Sequence, residues 1–428
     1  MRNMGSVLKR LWTIRPLRMS IGFVLLMLVL FRVLAHIPVP GIDVSVLRGV
    51  LAGNVFLGLL NIFSGGTLEN FSVVALGVAP YITSSIIFQL LAMVVPSLHR
   101  LQRDEGEAGR QKVNMWTRWA TVPLAVVQAY GFIALISQTT QRGQLLLTGS
   151  DLFIAMLVLA AGTIFMMWIG ELISLKGIGN GMSILIFSGI ISGLPRGLQQ
   201  LFTTFDQSKL VNLVIFALLA AVTIVAVVIV SEATRNIPVH YARHFAGNRL
   251  TGGVNTHLPL KLIMAGVIPI IFAISVIIFP TTLAQFFIRA KTPLLVSAAE
   301  SVIRLFNTQW FYGAIYFVLV FFFTYFYTSV IFKPDEMAEN LQKQGAFIPG
   351  VRPGKPTEEY LNQVMSRLLL VGGLFLAVIA VLPTIVQPLT GSQNLVIGGT
   401  SILIVVSVVV DIVKQTEAQL VSYEYEQM

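Results

Sequence analysis

Residues 54–95 read NVFLGLLNIFSGGTLENFSVVALGVAPYITSSIIFQLLAMVV: a short apolar run, VFLGLLNIF, broken at Ser64-Gly65-Gly66 and followed by a long one. A bilayer-crossing helix needs about 20 apolar residues. Residues 55–63 are too few to cross and residues 71–95 are enough, so a half-length segment is expected beside a whole span. Hydrocarbon offers no water to the peptide groups freed at the Ser64-Gly65-Gly66 break, so protein or a water-filled cavity must receive them. Two readings follow. Either the short segment sits inside something hollow, or it is a re-entrant or interfacial piece with a packing role alone.

The rest of the chain says which solvent it was built for. Over 428 residues, 55% are hydrophobic and 11% charged, a balance that describes a polytopic membrane protein. Ten candidate spans follow in order: 20–36, 71–95, 119–136, 152–173, 182–193, 210–230, 258–280, 311–332, 367–382 and 395–413. The fifth is too short unless it continues past Pro195. Residues 20–36 run into Pro38-Val39-Pro40 without a small-residue cleavage site, so the first span reads as a retained helix rather than a signal peptide. With no cysteine, the chain has no disulfide, thiolate ligand or cysteine nucleophile.

Orientation follows from Lys and Arg in alternate loops. The loops on the side of the N-terminus collect Arg2, Lys9, Arg10, Arg15 and Arg18, then Arg100, Arg103, Arg110 and Lys112, then Lys176, Arg235, Arg243, Arg249, Lys333, Lys343, Arg352, Lys355 and Lys414. The other side is sparser, with Arg48, Arg142, Arg196, Lys209, Arg289, Lys291 and Arg304. Both termini are therefore expected in the cytoplasm. The spans divide into five and five near 195–209, an N-terminal half of residues 1–200 and a C-terminal half of residues 201–428. Five is odd, so the second half enters the membrane in the opposite sense, the arrangement of an inverted repeat with a pathway between the halves.

Two cytoplasmic loops, 232–257 and 333–361, are long, basic and rich in Gly and Pro. Loops of that length are usually functional or disordered. With a net charge of +10, they offer a docking surface for an anionic partner, such as ribosomal phosphates or an acidic protein; attraction to anionic lipid headgroups and simple fixing of topology are the competing accounts.

Catalytic chemistry is hard to find. There is no phosphate-binding G-x-x-x-x-G-K-[ST] loop, and Gly177-Ile178-Gly179-Asn180-Gly181 follows a membrane helix rather than a strand, which makes it a helix-to-helix turn. His240 and His244 have i, i+4 spacing but no carboxylate between them. Of the ionisable residues in the spans, Arg32, Glu171 and Asp411 form no series across the midplane, which weakens an ion-coupled transporter and favours a passive conduit driven from outside. The spans do carry apolar pairs beside helix-softening residues: Val78 and Ile82 around Pro80, Met182 and Ile186 at the start of span five, and Ile271 beside Pro269, read here as the middle of span seven. Such side chains close a pore by excluding water, or are ordinary core. Gln89 in span two needs a polar partner.

Longer motifs carry a resemblance. Residues 31–43 (FRVLAHIPVPGID), Phe63-Ser64-Gly65-Gly66, 75–82 (ALGVAPYI), 105–110 (EGEAGR), 177–183 (GIGNGMS), 256–269 (THLPLKLIMAGVIP), 333–354 (KPDEMAENLQKQGAFIPGVRPG) and 398–406 (GGTSILIVV) resemble the SecY family, the central subunits of bacterial protein translocation channels. The resemblance implies an all-α polytopic fold of ten transmembrane helices, in two inverted five-helix halves that open like a clamshell around a central hourglass pore. It implies that 54–69 is a plug, involving Val55, Phe56, Leu59, Ile62, Phe63, Ser64, Gly65 and Gly66, and that Val78, Ile82, Met182, Ile186, Ile271 and Ile404 form the pore ring. The family often has isoleucine where this chain has Val78 and Met182. Further implied are a lateral gate, where spans two and three part from seven and eight, with Gln89, Pro269 and Pro280 assigned to it. Contacts to the SecA motor ATPase or a ribosome fall on Arg352 and Arg249, with Arg243 as a further candidate without a motif. Implied partners are small SecE-like and SecG-like membrane subunits, signal peptides and unfolded polypeptide substrates, and membrane lipids; the implied place is the bacterial plasma membrane. No cofactor is implied, and the energy for transport would come from the partner.

Overall fold

The computed structural model describes residues 14–40, 64, 66–139, 149–177, 179–203, 210–241, 244–246, 249–251, 255–264, 266–288, 292–390 and 398–426. In chain order its helices are α1 (Arg15–Leu34), α2 (Ala79–Val94), α3 (Pro96–Asp104), α4 (Gly106–Thr139), α5 (Ser150–Lys176), α6 (Gly181–Thr203), α7 (Leu210–Glu232), α8 (Ile268–Phe287), α9 (Pro293–Asn307), α10 (Gln309–Ile331), α11 (Pro334–Lys343), α12 (Lys355–Thr390) and α13 (Gly398–Glu426). Each of the ten candidate spans falls wholly or partly on one of them. Among the described residues, α1, α5, α10 and α12 contain stretches long and apolar enough to cross a membrane by themselves, and α2, α6, α7 and α8 contain shorter apolar ones. Helix α6 does run on through Pro195 to reach its length.

Two spans begin later than the sequence suggested. Residues 71–78 are a chain of turns, and α2 has 16 residues, roughly 24 Å at about 1.5 Å per residue, against a hydrocarbon core of about 30 Å. The peptide groups that would have started the helix are bonded elsewhere: Val73 N–H donates to Ile37 O (3.0 Å), Phe71 O accepts from Val39 N–H (2.9 Å), and Pro38 bridges to Ser72. Phe71 takes left-handed backbone angles (φ 43°), buried and stacked on Phe132 of α4 at 5.6 Å. Against this turn chain lies α5: a Cβ on Gly162 would sit 2.0 Å from the Val73 carbonyl oxygen, so only glycine permits the approach. Span seven is likewise shortened, because residues 258–261 belong to a strand and α8 starts at Ile268.

Packing falls into two groups that meet along two seams. In the first, α1 and α4 lie on α5, α2 on α4, and α6 on α5; in the second, α12 lies on α10 and α13, α7 on α13, and α10 on α8. The seams are α8 against α2 and α4, and α6 against α13. In lipid, where tails are as apolar as Leu, such association rests on close packing rather than on escape from water.

The membrane part is helical, but the two long loops build a sheet that the sequence reading passed over. Strands β1 (Thr234–Tyr241) and β4 (Asn255–Lys261) pair antiparallel, and β5 (Ala346–Phe347) joins the other edge of β1, with Tyr241 opposite Ala346. A ribbon of β2 (His244–Ala246) and β3 (Arg249–Thr251) projects between them. Ile237 and Val239 point from β1 into a separate apolar cluster with Leu260, Ile348, Leu361 and Met365. Thus the loops are one platform with its own core.

Candidate functional site

The six ring positions share a local address. Val78 caps α2 and Ile82 lies in its first turn; Met182 and Ile186 lie in the first two turns of α6, Ile271 in the first turn of α8, and Ile404 in the second turn of α13. Val78, Ile186, Ile271 and Ile404 are buried, Ile82 and Met182 half-buried, and all six belong to one apolar cluster. Four helices from both groups therefore begin against one shared apolar cluster.

The helix starts have identifiable causes. Pro80 and Pro269 occupy the first turns of α2 and α8, where a missing N–H is no loss. Pro269 was expected mid-span; it is a starter, because Gly266 (φ 58°) turns the chain just before it. Helix α6 is capped by Asn180, whose Oδ1 accepts from the N–H groups of Met182 (3.0 Å) and Ser183 (3.3 Å). A Cβ on Gly181 would lie 1.9 Å from Gly170 O, so α5 and α6 touch through backbone.

Of the plug positions, Val55, Phe56, Leu59, Ile62, Phe63 and Gly65 lie outside the described residues. Ser64 is buried, and a Cβ on Gly77 would come within 3.1 Å of its Cα, so the end of the half-length segment rests against the residue before Val78. Thr67 fixes that end: its hydroxyl donates to Ser64 O (2.8 Å) and Val74 O (3.1 Å), with none of the residue exposed. Gly66 takes φ 75°.

On α2, Gln89 is half-buried and donates from Nε2 to Ser85 Oγ at 3.0 Å, so its polar partner stands one turn back on its own helix. Gln128 Nε2 reaches Thr83 Oγ1 (3.4 Å), tying α4 to α2. Pro280 lies inside α8, where it removes a helix hydrogen bond and permits bending.

Arg32 and Glu171 in the spans, and Lys414 of α13 and Glu232 at the end of α7, have partners. Arg32 donates to Ser188 O of α6 and its guanidinium lies over the Phe31 ring (4.7 Å). Glu171 pairs with Arg118 across α5 and α4 (2.7 Å), and Lys414 pairs with Glu232 across α13 and α7 (2.8 Å). Sequence reasoning missed these pairs because each joins residues remote in the chain. On the platform, Arg352 is exposed in a turn between Gly350 (φ 82°) and Gly354 (φ 94°), braced by Thr357 Oγ1 donating to its carbonyl (2.8 Å). Arg249 opens β3, and Arg243 lies outside the described residues. His240 tilts against Phe347 of β5, ring centroids 5.9 Å apart.

A family model described as SecY matches residues 72–413. The chain is 45% identical to the protein translocase subunit SecY of Halalkalibacterium halodurans, with 99% of each chain covered, and 44% identical to that of Corynebacterium glutamicum, with 96% of each covered. Among solved structures, it resembles one describing how the plug domain of a SecY protein stabilises the closed state of a translocation channel (TM-score 0.62, 18% identity, 94% of this chain and 92% of that one). It also resembles canine Sec61 in a ribosome–channel complex (TM-score 0.58, 17% identity, the same coverage). At those identities the structures speak to the fold.

Proposed function

Because the chain belongs to the SecY family of protein translocase subunits, we propose that it forms the channel through which unfolded secretory polypeptides cross a bacterial plasma membrane, releasing apolar segments sideways into the bilayer. The observation that supports this reading is that six apolar side chains near four helix starts lie in or against one apolar cluster, with buried Ser64 against Gly77, the neighbour of Val78. In this reading, Val78, Ile82, Met182, Ile186, Ile271 and Ile404 are a waist that excludes water at rest and yields to a chain. Residues 54–69 plug it from the far side.

The halves 1–200 and 201–428 part along α8 against α2 and α4, with α6 against α13 as the fixed edge. Gln89 sits at that gate with one amide N–H bonded to Ser85 of its own helix, which lowers its cost in lipid when the helices separate. Pro280 gives α8 a place to bend. Both termini and the β1–β5 platform face the cytoplasm, where Arg352, Arg249 and Arg243 meet a SecA-type motor or the ribosome that supplies the push. SecE-like and SecG-like subunits complete the assembly, and the chain itself performs no covalent chemistry.

The chain has no cysteine, so single ones are clean probes. With a secretory chain stalled in transit, Ile82→Cys and Ile186→Cys are expected to crosslink to it, whereas Leu157→Cys, on an exposed face of α5, is not. Equal crosslinking at all three, or none at the ring, would overturn the reading.

A further inference from the structure

Helix α9 joins the end of α8 to the start of α10, on the side of the membrane part away from the platform, since the platform joins the opposite ends of the same helices. Its 15 residues, with Glu300 and Arg304 among them, are too short and too polar to cross a bilayer. At about 100° per residue they divide into three stripes. Val296, Ala299, Ile303 and Phe306, at i, i+3, i+7 and i+10, are buried or half-buried; α9 packs on α8 and α10, with the Phe306 ring edge-on to Phe311 at 5.7 Å. Ser297, Glu300 and Arg304, at i, i+3 and i+7, are exposed and polar, and Ser301 borders them and the third stripe with its hydroxyl donating to Ser297 O (2.8 Å). Leu294, Ala298 and Leu305 form a third stripe, apolar and yet exposed, with Leu294 77% and Leu305 48% accessible.

The surroundings identify what covers the third stripe. Trp310, in the first turn of α10, is 84% exposed, and from it the uncovered apolar side chains Val318 and Phe322 continue along the same membrane-crossing helix. Exposed tryptophan at the end of a span is the mark of the lipid–water boundary. A helix joined to that end, with a polar stripe on one flank and protein on the other, has lipid as the neighbour that suits its bare leucines.

We infer that α9 lies in the membrane interface at the outer ends of α8 and α10, inserting Leu294, Ala298 and Leu305 among lipid chains. Its polar stripe then faces water and its packed stripe holds it to the gate helix, so the outer end of α8 is moored to the bilayer surface. That this leaflet is the outer one rests on the topology proposed above.

The test uses the translocase complex in phospholipid bilayers, with spin labels on single cysteines at 294, 298 and 305 and at 297, 300 and 304. Labels on the first three are expected to collide with oxygen several-fold more than with a water-soluble nickel chelate, and labels on the second three to show the reverse. Nickel access at all six would put α9 in an aqueous vestibule, and protection of the first three from both reagents would put them under another protein; either overturns the inference. An impermeant thiol reagent applied from each side to Arg304→Cys reports the topology separately. Labelling from the cytoplasmic side alone would refute the sidedness while leaving the lipid contact intact.

Discussion

The proposed ring and the platform are opposite solutions to holding a protein together. The six proposed ring side chains are all apolar and lie in or against one cluster near the starts of α2, α6, α8 and α13, so what their side chains contribute is dispersion. On the platform, backbone bonds tie β1 to β4 and β5, over a small core under Ile237, Val239 and Leu361. Contacts without direction survive sliding and separation, whereas a strand ladder keeps one register or is lost. In the function proposed above, the deformable device stands where a chain passes and the rigid one where a partner pushes.

The largest effect expected from breaking this division is at the ring. Replacing Ile82, Ile186, Ile271 and Ile404 together by serine should raise the resting ion leak of reconstituted channels by at least about tenfold, by wetting the constriction. Motor binding to the platform should stay unchanged; an unaltered leak would refute the ring. A smaller effect, confined to the platform, is expected from Ile237→Asp, which puts a carboxylate into a site that is 1% exposed. Limited proteolysis within residues 232–257 and 333–361 should speed up and motor-driven transport should fall, while the leak remains at the wild-type level. Arg352→Glu should do less again: the turn is exposed and keeps its glycines, so folding is retained, and motor-driven translocation drops roughly tenfold through charge mismatch at the partner surface. Normal translocation by that variant would remove Arg352 from the contact.

Some of this was legible in residue order. Ile237 and Val239 alternate with polar neighbours along β1, a period-two signal that could have announced a strand; Pro238 and the surrounding basic residues hid it. The Arg118–Glu171 pair left no such trace, since nothing local marks either residue as the other's partner. The contact that holds Ser64 was half visible: Ser64 and Gly66 marked a break, but Thr67, whose hydroxyl bonds Ser64 O and Val74 O, looked like any polar loop residue.

By itself, the sequence determined the solvent, the order of the apolar segments, the sidedness of charge and the motifs of a family, because each is carried by composition or by neighbours along the chain. Only the tertiary structure decided where those segments become helix. Residues 71–78 are apolar enough to continue α2, yet Phe71 O and Val73 N–H are bonded to Val39 and Ile37 and other groups close local turns (Ala75 N–H to Ser72 O, Gly77 N–H to Val74 O), and a peptide group bonded to one partner cannot also serve a helix. Helix α2 therefore starts at Ala79, with Val78 as its cap, about two turns after the apolar run begins at Phe71.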